Sequence, residues 1–296
     1  MTAQNIILEL SAVIVGIHQG QPQVRISSGP TLPSGPLQIK HHTLEQALRA
    51  WVKTQIGIDI GYVEQLYTFA DKDRTSGGKR VISIGYLALE GSETDKENAE
   101  DWYSFFPWED HRDDAPESIL KQIQQALAAW KKEAPDATTK RMRASRIAIN
   151  FPKNLRQWND ELVLPRYEML WEAGLVEESR QQKKATLTLG NPMKHDHRRI
   201  LATAMARLRA KIKYRPVVFE LLPTHFTLSE LQETVEALAG LKIHKQNFRR
   251  LIMGQGLVEE TGSQSQNLKG RPARLFAFRP EVLEERAAAG TKLARI

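Results

Sequence analysis

The alternation of apolar and polar residues predicts that the N-terminal half of the chain mixes strands with helices. Four apolar runs have the length and composition of strands, and they cover residues 6–17, 24–27, 62–69 and 81–89. A helix is expected from a cap at 42–43 to Ile56, because apolar residues recur there at three- and four-residue spacing and Gly57 follows as a stop signal. The segment 28–36 is rich in Gly and Pro and is interpreted as a loop, and another helix is expected over 118–132.

The middle of the chain gives weaker signals. Residues 134–144 show no apolar pattern and are interpreted as an exposed linker or arm, whereas 155–173 are expected to form one or two helices. A further strand could lie over 184–189. From 196 to 213 the pattern predicts an amphipathic helix with one apolar face. Its opposite face is expected to expose five basic residues: Arg198, Arg199, Arg207, Arg209 and Lys211.

The C-terminal third has the pattern of two helices followed by a β-hairpin. Thr227 and Glu230 have the spacing of a capping box, and apolar residues at helical spacing then lead to Gly240. A second helix is expected over 244–253. Its three apolar residues are expected to face the core: Phe248, Leu251 and Ile252. Two short strands are predicted beyond it: 257–261 and 273–278. This succession predicts a helix-turn-helix with a wing.

The basic charge of the chain is concentrated in this C-terminal third. The net charge is +7, and the segment from Lys194 onward holds 19 Lys and Arg residues against 10 Asp and Glu. A positive field confined to one domain suits binding to a phosphate backbone, although a solvated basic surface is the alternative. The candidates for contact with DNA lie on the second helix and the wing: Lys245, Gln246, Asn247, Arg249, Arg250, Lys269, Arg271 and Arg274.

The composition narrows the class of protein further. The chain has 296 residues, of which 41% are hydrophobic and 26% are charged, so two folded domains are expected. The absence of cysteine excludes disulfides, thiolate zinc sites and a cysteine nucleophile. No apolar segment approaches the length of a membrane span, and a cytoplasmic protein without membrane contact is expected.

Several of these segments resemble one known family. The sequence FTLSELQETVEALAGLKIHKQNFRRLIMGQGLVEETG, with KGRPARLFAF after it, resembles the C-terminal domain of the Nudix-related transcriptional regulators of NAD metabolism, the NrtR/NadQ-like family. YVEQLYTFADKDR and RVISIGYLAL resemble the strand, loop and strand that follow the Nudix helix in those proteins, and HDHRRILATAMARLRAKIKY resembles their interdomain helix. The insert from about 134 to 184 is similar to the longer branch that represses de novo NAD synthesis in alphaproteobacteria.

The resemblance implies an α+β fold, in which an N-terminal Nudix-like α/β/α sandwich with a degenerate Nudix helix precedes a C-terminal winged helix-turn-helix. The expected domains are a nucleotide-sensing domain (1–133), a linker and helical insert (134–193), and an interdomain helix with the DNA-binding domain (194–296). The resemblance also implies a homodimer that binds a palindromic operator of NAD biosynthesis genes as a repressor. The insert is expected to enlarge the dimer interface or to contact DNA through its basic run: Lys140, Arg141, Arg143 and Arg146.

The effector implied by the resemblance is a nucleotide related to NAD, namely ADP-ribose, NAD or ATP, and no further cofactor is expected. Arginine forms fork-like bonds with phosphate, and an aromatic ring can stack on adenine. The candidates for contact with the effector are six basic residues and one aromatic residue: Arg25, Lys40, Arg49, Phe69, Arg74, Lys79 and Arg80.

Hydrolysis is not expected, because a working Nudix enzyme holds Mg²⁺ with several glutamates on one helix. If Gly57 is the closing glycine of that motif, the glutamate positions are occupied by Trp51, Thr54 and Gln55; alignment on Arg49 instead gives Ala50, Lys53 and Thr54. Neither register keeps a carboxylate, and Glu45 is the one acidic residue between Lys40 and Ile58. The sequence therefore predicts a protein that is not an enzyme.

Two alternatives remain at this point. The first is a Nudix-like hydrolase of a nucleoside diphosphate derivative whose metal site has been displaced. The second is an RNA- or nucleotide-binding protein without promoter specificity, for which exposed aromatic residues on a sheet would be more typical. The histidines at 41–42 and at 195–197 are interpreted as capping or surface residues, because neighbouring positions point in different directions and no third ligand is apparent; no metal site is expected.

Overall fold

The computed structural model describes residues 6–71, 74–91, 98–113, 116–179, 188–265 and 272–282. A mixed sheet forms the centre of the N-terminal unit. Its strands are β1 (Ile6–His18), β2 (Gln21–Arg25), β3 (Ser34–Pro36), β4 (Val63–Phe69), β5 (Thr75–Ser76), β6 (Lys79–Leu89) and β7 (Ala99–Asp101). The strand order is β4-β6-β1-β2-β7, with β3 on β1 and β5 on β6; β1 runs parallel to β6 and antiparallel to β2. All four predicted strands are present, although the run at 24–27 starts earlier and the predicted loop contains β3.

Helix α1 (Leu44–Ile56) covers one face of this sheet. It begins where the Thr43 hydroxyl accepts a hydrogen bond from the Gln46 amide, and it ends at Gly57, whose φ of 76° is in the left-handed region. Because side chains alternate along β1, Leu10, Ala12 and Ile14 pack against α1, whereas the residues between them enter a larger core on the other face. The predicted helix and its caps are confirmed.

The remaining α-helices follow β6 along the chain, and they share a core with the other face of the sheet. These are α2 (Trp102–Phe105), α3 (Glu117–Lys132), α4 (Ala137–Asn150), α5 (Val163–Glu172) and α6 (His197–Lys211), followed by α7 (Leu228–Ala239) and α8 (Lys245–Gln255). Helix α6 contacts β1, β4 and β6 on one side, and it contacts α5 and α7 on its other sides. The fold is therefore the expected α/β/α sandwich, extended by an insert and a C-terminal domain. None of the described helices is long and apolar enough to cross a membrane.

The insert is helical from its beginning, so the prediction of an exposed linker over 134–144 is wrong. Asp136 caps α4 by accepting a hydrogen bond from the Thr139 amide. The helix was missed because its contact with α3 depends on an arginine rather than on apolar residues: the Arg143 guanidinium stacks on the Trp130 ring, 4.1 Å from its centroid. Arg146 is bound to Glu172, so half of the basic run contacts the protein itself: Arg143 contacts α3 and Arg146 contacts α5. The strand expected over 184–189 lies almost wholly outside the described residues.

Two of the five basic residues expected on the exposed face of α6 are buried, which corrects the prediction. Arg198 is 1% exposed and Arg209 is 0% exposed. Arg198 donates hydrogen bonds to the carbonyl oxygens of Phe105 and Leu189 and pairs with Glu178. The sides of the helix that carry these two residues are enclosed by α5, α7 and the α2 segment, whereas Arg207 is exposed. Each buried guanidinium is compensated by acceptors, as its desolvation requires.

Glu109 forms a buried ionic junction between the N-terminal unit, the insert and α6. Its carboxylate is 2.5 Å from Arg166 Nε of α5 and 2.7 Å from Arg209 Nη1, and all three side chains are fully buried. Burial by itself opposes ionisation of Glu109, but the two guanidinium groups hold its pKa below the usual value. Arg209 also donates to the Leu238 carbonyl in α7 at 2.9 Å, so the junction extends into the C-terminal domain.

Gly240, at the end of α7, joins the C-terminal domain to the N-terminal unit through backbone alone. Its carbonyl accepts a hydrogen bond from the His111 amide at 2.7 Å. Its φ is 69°, and a Cβ atom added there would lie 2.3 Å from the carbonyl oxygen of Glu109. Both observations require glycine, one because of the left-handed conformation and the other because of the close approach.

His197 is expected to make the stability of the protein depend on pH. Burial lowers the pKa of His197 to about 3, and its Nδ1 accepts a hydrogen bond from the Leu32 amide at 2.9 Å. The unfolded chain takes up this proton near pH 6.5 and the folded chain does not, so stability is complete above that pH and is lost as the pH falls. Between pH 7 and pH 5 the loss from this group is about 2 kcal/mol.

The comparison that checks this is urea unfolding of the wild type and of His197→Asn at both pH values. Asn keeps an acceptor near Leu32 but does not titrate, so the variant should show the smaller change in unfolding free energy between pH 7 and pH 5. Equal changes in the two proteins would contradict the assignment. His111, whose pKa burial lowers to about 4, titrates equally in both and does not affect the difference.

Candidate nucleic-acid interface and effector cavity

The C-terminal domain has the predicted helix-turn-helix and wing. The hydroxyl of Thr227 accepts from the Glu230 amide at 3.1 Å, and the Glu230 carboxylate accepts from the Thr227 amide at 2.6 Å, which completes the capping box of α7. Beyond α8, strands β8 (Val258–Gln264) and β9 (Arg274–Phe278) pair in antiparallel register. Phe226 also pairs with Phe276, so the segment before α7 adds a bridge to the wing. The predicted helix-turn-helix and hairpin are confirmed over the described residues 227–265 and 272–278.

Helix α8 presents a polar and basic face to solvent. Lys245, Gln246, Asn247 and Arg250 are exposed on it, and these are the residue types that contact base edges and phosphates in a major groove. Arg249 is half-buried, and one of its guanidinium nitrogens lies 3.4 Å from the Ser229 hydroxyl of α7.

The apolar side of α8 is narrower than the sequence suggested. Phe248 is buried and Ile252 is partly buried, as expected, but Leu251 is 57% exposed, which corrects the expectation that it faces the core. Its neighbour Met253 is also exposed. The face that would meet DNA therefore carries apolar side chains among the basic ones, and such side chains can contact the methyl group of thymine.

One of the three wing candidates lies in the described part of the chain. Arg274, on β9, is exposed and forms an ion pair of 3.0 Å with Glu260 on β8. Lys269 and Arg271 lie outside the described residues. The wing thus contributes at least one exposed guanidinium, held in place by a partner on the adjacent strand.

The structure does not bring the seven effector candidates together. Arg25 is buried and pairs with Glu90, and Phe69 is a core residue with 3% exposure. The Arg49 guanidinium binds Glu45 and the carbonyls of residues 60–61. These three side chains have structural contacts that explain their positions without a ligand.

The other four candidates differ in their surroundings. Lys40 and Lys79 are exposed, and Arg80 is an exposed residue that donates to the Ala70 carbonyl at 2.8 Å. Arg74 is the one of the seven that lines the cavity described below, which is formed on the face of the sheet opposite α1. The candidates were chosen by residue type along the sequence, and residue type does not indicate which side of a sheet a side chain occupies.

At the positions where a Nudix enzyme would carry its glutamates, Gln55 and Trp51 form hydrogen bonds with the backbone of β3. Gln55 exchanges two hydrogen bonds with the backbone of Ser34, at 3.1 and 2.6 Å. Trp51 donates to the Pro36 carbonyl at 3.1 Å, and its ring lies so close to Gly35 that a Cβ there would be 2.3 Å away. An amide and an indole therefore stand at this helix where metal ligands would be required. In the part of the chain that the structure describes, no group of three His, Asp or Glu residues could hold a metal ion.

The cavity has a volume of about 660 Å³ and lies between the sheet, the insert and the start of α6. The sheet side contributes Glu9, Asp71, Arg74, Thr75, Ser76 and Val81, the insert contributes Arg146, Tyr167, Glu168, Trp171, Glu172 and Glu178, and the third wall is formed by His195, Asp196 and Arg199. A volume of this size is typical of sites for small molecules. Sequence reasoning missed this site, except for Arg74, because its residues come from separate segments without a common motif.

Comparisons with known proteins agree with this architecture. Residues 218–278 match the family model of the NrtR DNA-binding winged helix domain. Over 83 residues the chain is 42% identical to the ADPR responsive transcriptional repressor NtrR of Acinetobacter baylyi; the aligned part is 28% of this chain and 33% of the repressor. The chain thus spans about a third of the length of this curated relative.

Two solved structures share the fold over nearly the whole chain. Shewanella oneidensis NrtR, complexed with a 27mer DNA, superposes with a TM-score of 0.54 at 20% identity and covers 94% of this chain and 95% of its own. A MutT/nudix family protein from Enterococcus faecalis superposes with a TM-score of 0.53 at 16% identity, covering 94% and 88%. The chain is therefore a Nudix-fold protein with a C-terminal winged helix. Its winged helix matches the NrtR DNA-binding winged helix domain, which confirms the predicted resemblance for this part of the chain. The similarity of the insert to the longer alphaproteobacterial branch stays a prediction.

Proposed function

We propose that this protein is a sequence-specific DNA-binding transcriptional repressor of NAD biosynthesis genes, controlled by a nucleotide related to NAD. The observation that carries the proposal is the exposed basic and polar face of α8 within a winged helix of the NrtR type. Major-groove recognition needs this combination of amide, guanidinium and apolar groups on one helix surface. The contact residues proposed on α8 and the described part of the wing are Lys245, Gln246, Asn247, Arg249, Arg250 and Arg274.

The names of the similar proteins support both parts of this proposal. The Acinetobacter relative, which is similar over 83 residues, is a repressor responsive to ADPR, and the Shewanella structure contains DNA. We propose ADP-ribose as the first effector to test, with NAD and ATP as the other candidates. We also propose a cytoplasmic homodimer, because paired winged helices match the two halves of a palindromic operator.

The test is selection of binding sites from random duplex DNA by the full chain, followed by anisotropy titrations with the selected operator. Selection of a palindrome bound with nanomolar affinity, and a shift of that affinity by one of the three nucleotides, would support the proposal. If no sequence were enriched and the affinity depended on salt but not on sequence, promoter recognition would be contradicted. Because coupling is reciprocal, the operator should change the affinity for the effective nucleotide by the same factor.

The alternative function, a Nudix hydrolase with a displaced metal site, leads to an opposite expectation. We expect no release of AMP from ADP-ribose with Mg²⁺ or Mn²⁺, because Trp51 and Gln55 stand at the positions of metal ligands. The measurement is an AMP assay at high protein concentration, with an active Nudix ADP-ribose hydrolase as the positive control. Metal-dependent turnover that co-purifies with the chain would contradict this expectation.

A further inference from the structure

The charge around the cavity favours a positively charged ligand. Six carboxylates and three arginines line it among the described residues. Each arginine is already bound to a carboxylate: Arg74 to Asp196 at 2.6 Å, Arg146 to Glu172 at 2.6 Å, and Arg199 to Asp71 and Glu168 at 2.5 and 2.7 Å. An incoming phosphate would have to compete with these carboxylates and would approach the others against repulsion.

Glu9 provides negative charge that the lining arginines leave uncompensated. Its carboxylate accepts a hydrogen bond from the Ser83 hydroxyl at 2.8 Å, and it forms no ion pair within the described part of the chain. Glu9 lies on β1 and is half-buried, so its charge is screened less by solvent than a surface charge would be. Glu178, by contrast, is neutralised by Arg198 from behind the cavity wall.

Two polar groups on the cavity wall also lack partners. Tyr167 is 2% exposed, and its hydroxyl makes no hydrogen bond within the residues that the structure describes. The Nε atom of Arg74 is likewise buried without an acceptor, although its other nitrogens bind Asp196 and Ser83. Buried polar groups are nearly always satisfied, so Arg74 Nε indicates a ligand or water that carries a hydrogen-bond acceptor, and the Tyr167 hydroxyl is available to bind the same molecule.

An aromatic surface is available at the same cavity. Trp171, at the end of α5, is 40% exposed, and its indole nitrogen donates to the Glu178 carbonyl at 3.2 Å, which fixes the ring beside the cavity. An exposed indole face attracts both aromatic rings and cations. The combination of indole, uncompensated carboxylate and unsatisfied hydroxyl defines the chemistry that the cavity would recognise.

We propose that this cavity binds a small aromatic cation that carries hydroxyl or amide groups, such as the pyridinium nucleoside moiety of a larger effector or the free nucleoside. Glu9 would stabilise its charge, Trp171 would stack on its ring, and Tyr167 and Arg74 would bind its polar groups. The inference rests on the proposed function and deepens it for NAD, the one of the three candidate effectors that contains a pyridinium nucleoside, since it specifies which part of that effector is recognised and where. The site depends on the insert and is separate from the cleft beside α1.

The position of the cavity connects it to the C-terminal domain. Asp196 and Arg199 lie at the start of α6, and Arg209, near the end of the same helix, holds the Leu238 carbonyl of α7. A ligand that alters the ion pairs at one end of α6 therefore acts on the helix that carries the DNA-binding domain. Such coupling requires that the ligand bind the two arrangements of α6 with different affinity.

Calorimetry without DNA tests the binding site independently of the regulatory function. The probes are nicotinamide riboside, an aromatic cation without phosphate, and its reduced form, which has nearly the same shape and no charge. The oxidised form is expected to bind at least about tenfold more tightly than the reduced form. Glu9→Gln, which retains an acceptor for Ser83, should remove this preference, whereas the control Glu233→Gln, at an exposed position of α7, should leave it unchanged.

The outcomes separate the two proposals. The cavity assignment would be overturned if the oxidised and reduced probes bound with equal affinity, or if neither bound at millimolar concentration. It would also be overturned if the preference survived in Glu9→Gln. The assignment would be supported if Glu9→Gln lost the preference while its thermal midpoint stayed unchanged. Trp171→Leu should then weaken the binding of both probes. If operator selection succeeds while the probes do not bind, the cavity assignment alone fails.

Discussion

Replacement of Glu109 by alanine is expected to lower the free energy of unfolding by about 3–5 kcal/mol, because it leaves two buried guanidinium groups without their counter-ion. Arg166 and Arg209 are both fully buried beside this carboxylate. Neither arginine can reach solvent without displacing α5 or α6. The measurement is urea unfolding of the wild type and the variant at pH 7, followed by tryptophan fluorescence.

A matched control distinguishes the junction from a general effect of charge removal. Glu100 is an exposed residue on β7, and Glu100→Ala removes the same side chain at a surface position. The control should change the unfolding free energy by less than about 0.5 kcal/mol. Glu109→Gln should be intermediate, because the amide keeps one acceptor oxygen but not the charge. A Glu109→Ala protein as stable as the control would show that the junction contributes little.

The double substitution Arg249→Ala/Arg250→Ala is expected to weaken binding to the selected operator by at least about a hundredfold. Both residues lie on α8, and Arg250 is exposed on the face that would enter the major groove. Loss of contacts to phosphate or guanine from this helix should also reduce the salt dependence of binding. Anisotropy titrations at several salt concentrations measure both quantities.

The control removes the same amount of charge at a distance from α8. Lys132 and Arg156 are exposed residues of the N-terminal unit and the insert. Lys132→Ala/Arg156→Ala lowers the net charge equally, so it reports the effect of the overall field alone. If both double variants lost affinity to the same extent, α8 would not be the reading helix.

The parts of the fold that could be predicted from the sequence are those whose signals are local. The strands β1, β4 and β6 and the helices α1 and α7 were predicted because apolar periodicity and end signals occur together, as at Thr43 and Gly57. The hairpin of the wing was predicted for the same reason. The strands β1 and β6 are nearly continuous apolar runs because both of their faces are buried, whereas α1 buries one face, so each pattern in the sequence matches its environment.

The predictions that failed concern side chains whose environment is set by distant segments. Arg198 and Arg209 were placed on a solvent face because a guanidinium is usually exposed, but the helices around α6 supply carbonyls and carboxylates that bury both. Leu251 was placed in the core by its apolar character, although Phe248 alone fills the buried contact on that helix. The cavity escaped prediction because Glu9 and Tyr167 are brought together by an insert whose position no local pattern specifies.

The contact at Gly240 limits how the sequences of related proteins can diverge at this position. The C-terminal domain meets the segment at Glu109 through a backbone hydrogen bond and a carbonyl oxygen, with no side chain on the glycine. A Cβ at this position would lie 2.3 Å from a backbone carbonyl oxygen, which no side-chain substitution on the other side can remove, so a larger residue at 240 cannot be compensated there. Homologues that keep the junction should therefore show an unvarying glycine without a coevolving partner, and a homologue with another residue there should orient its winged helix differently.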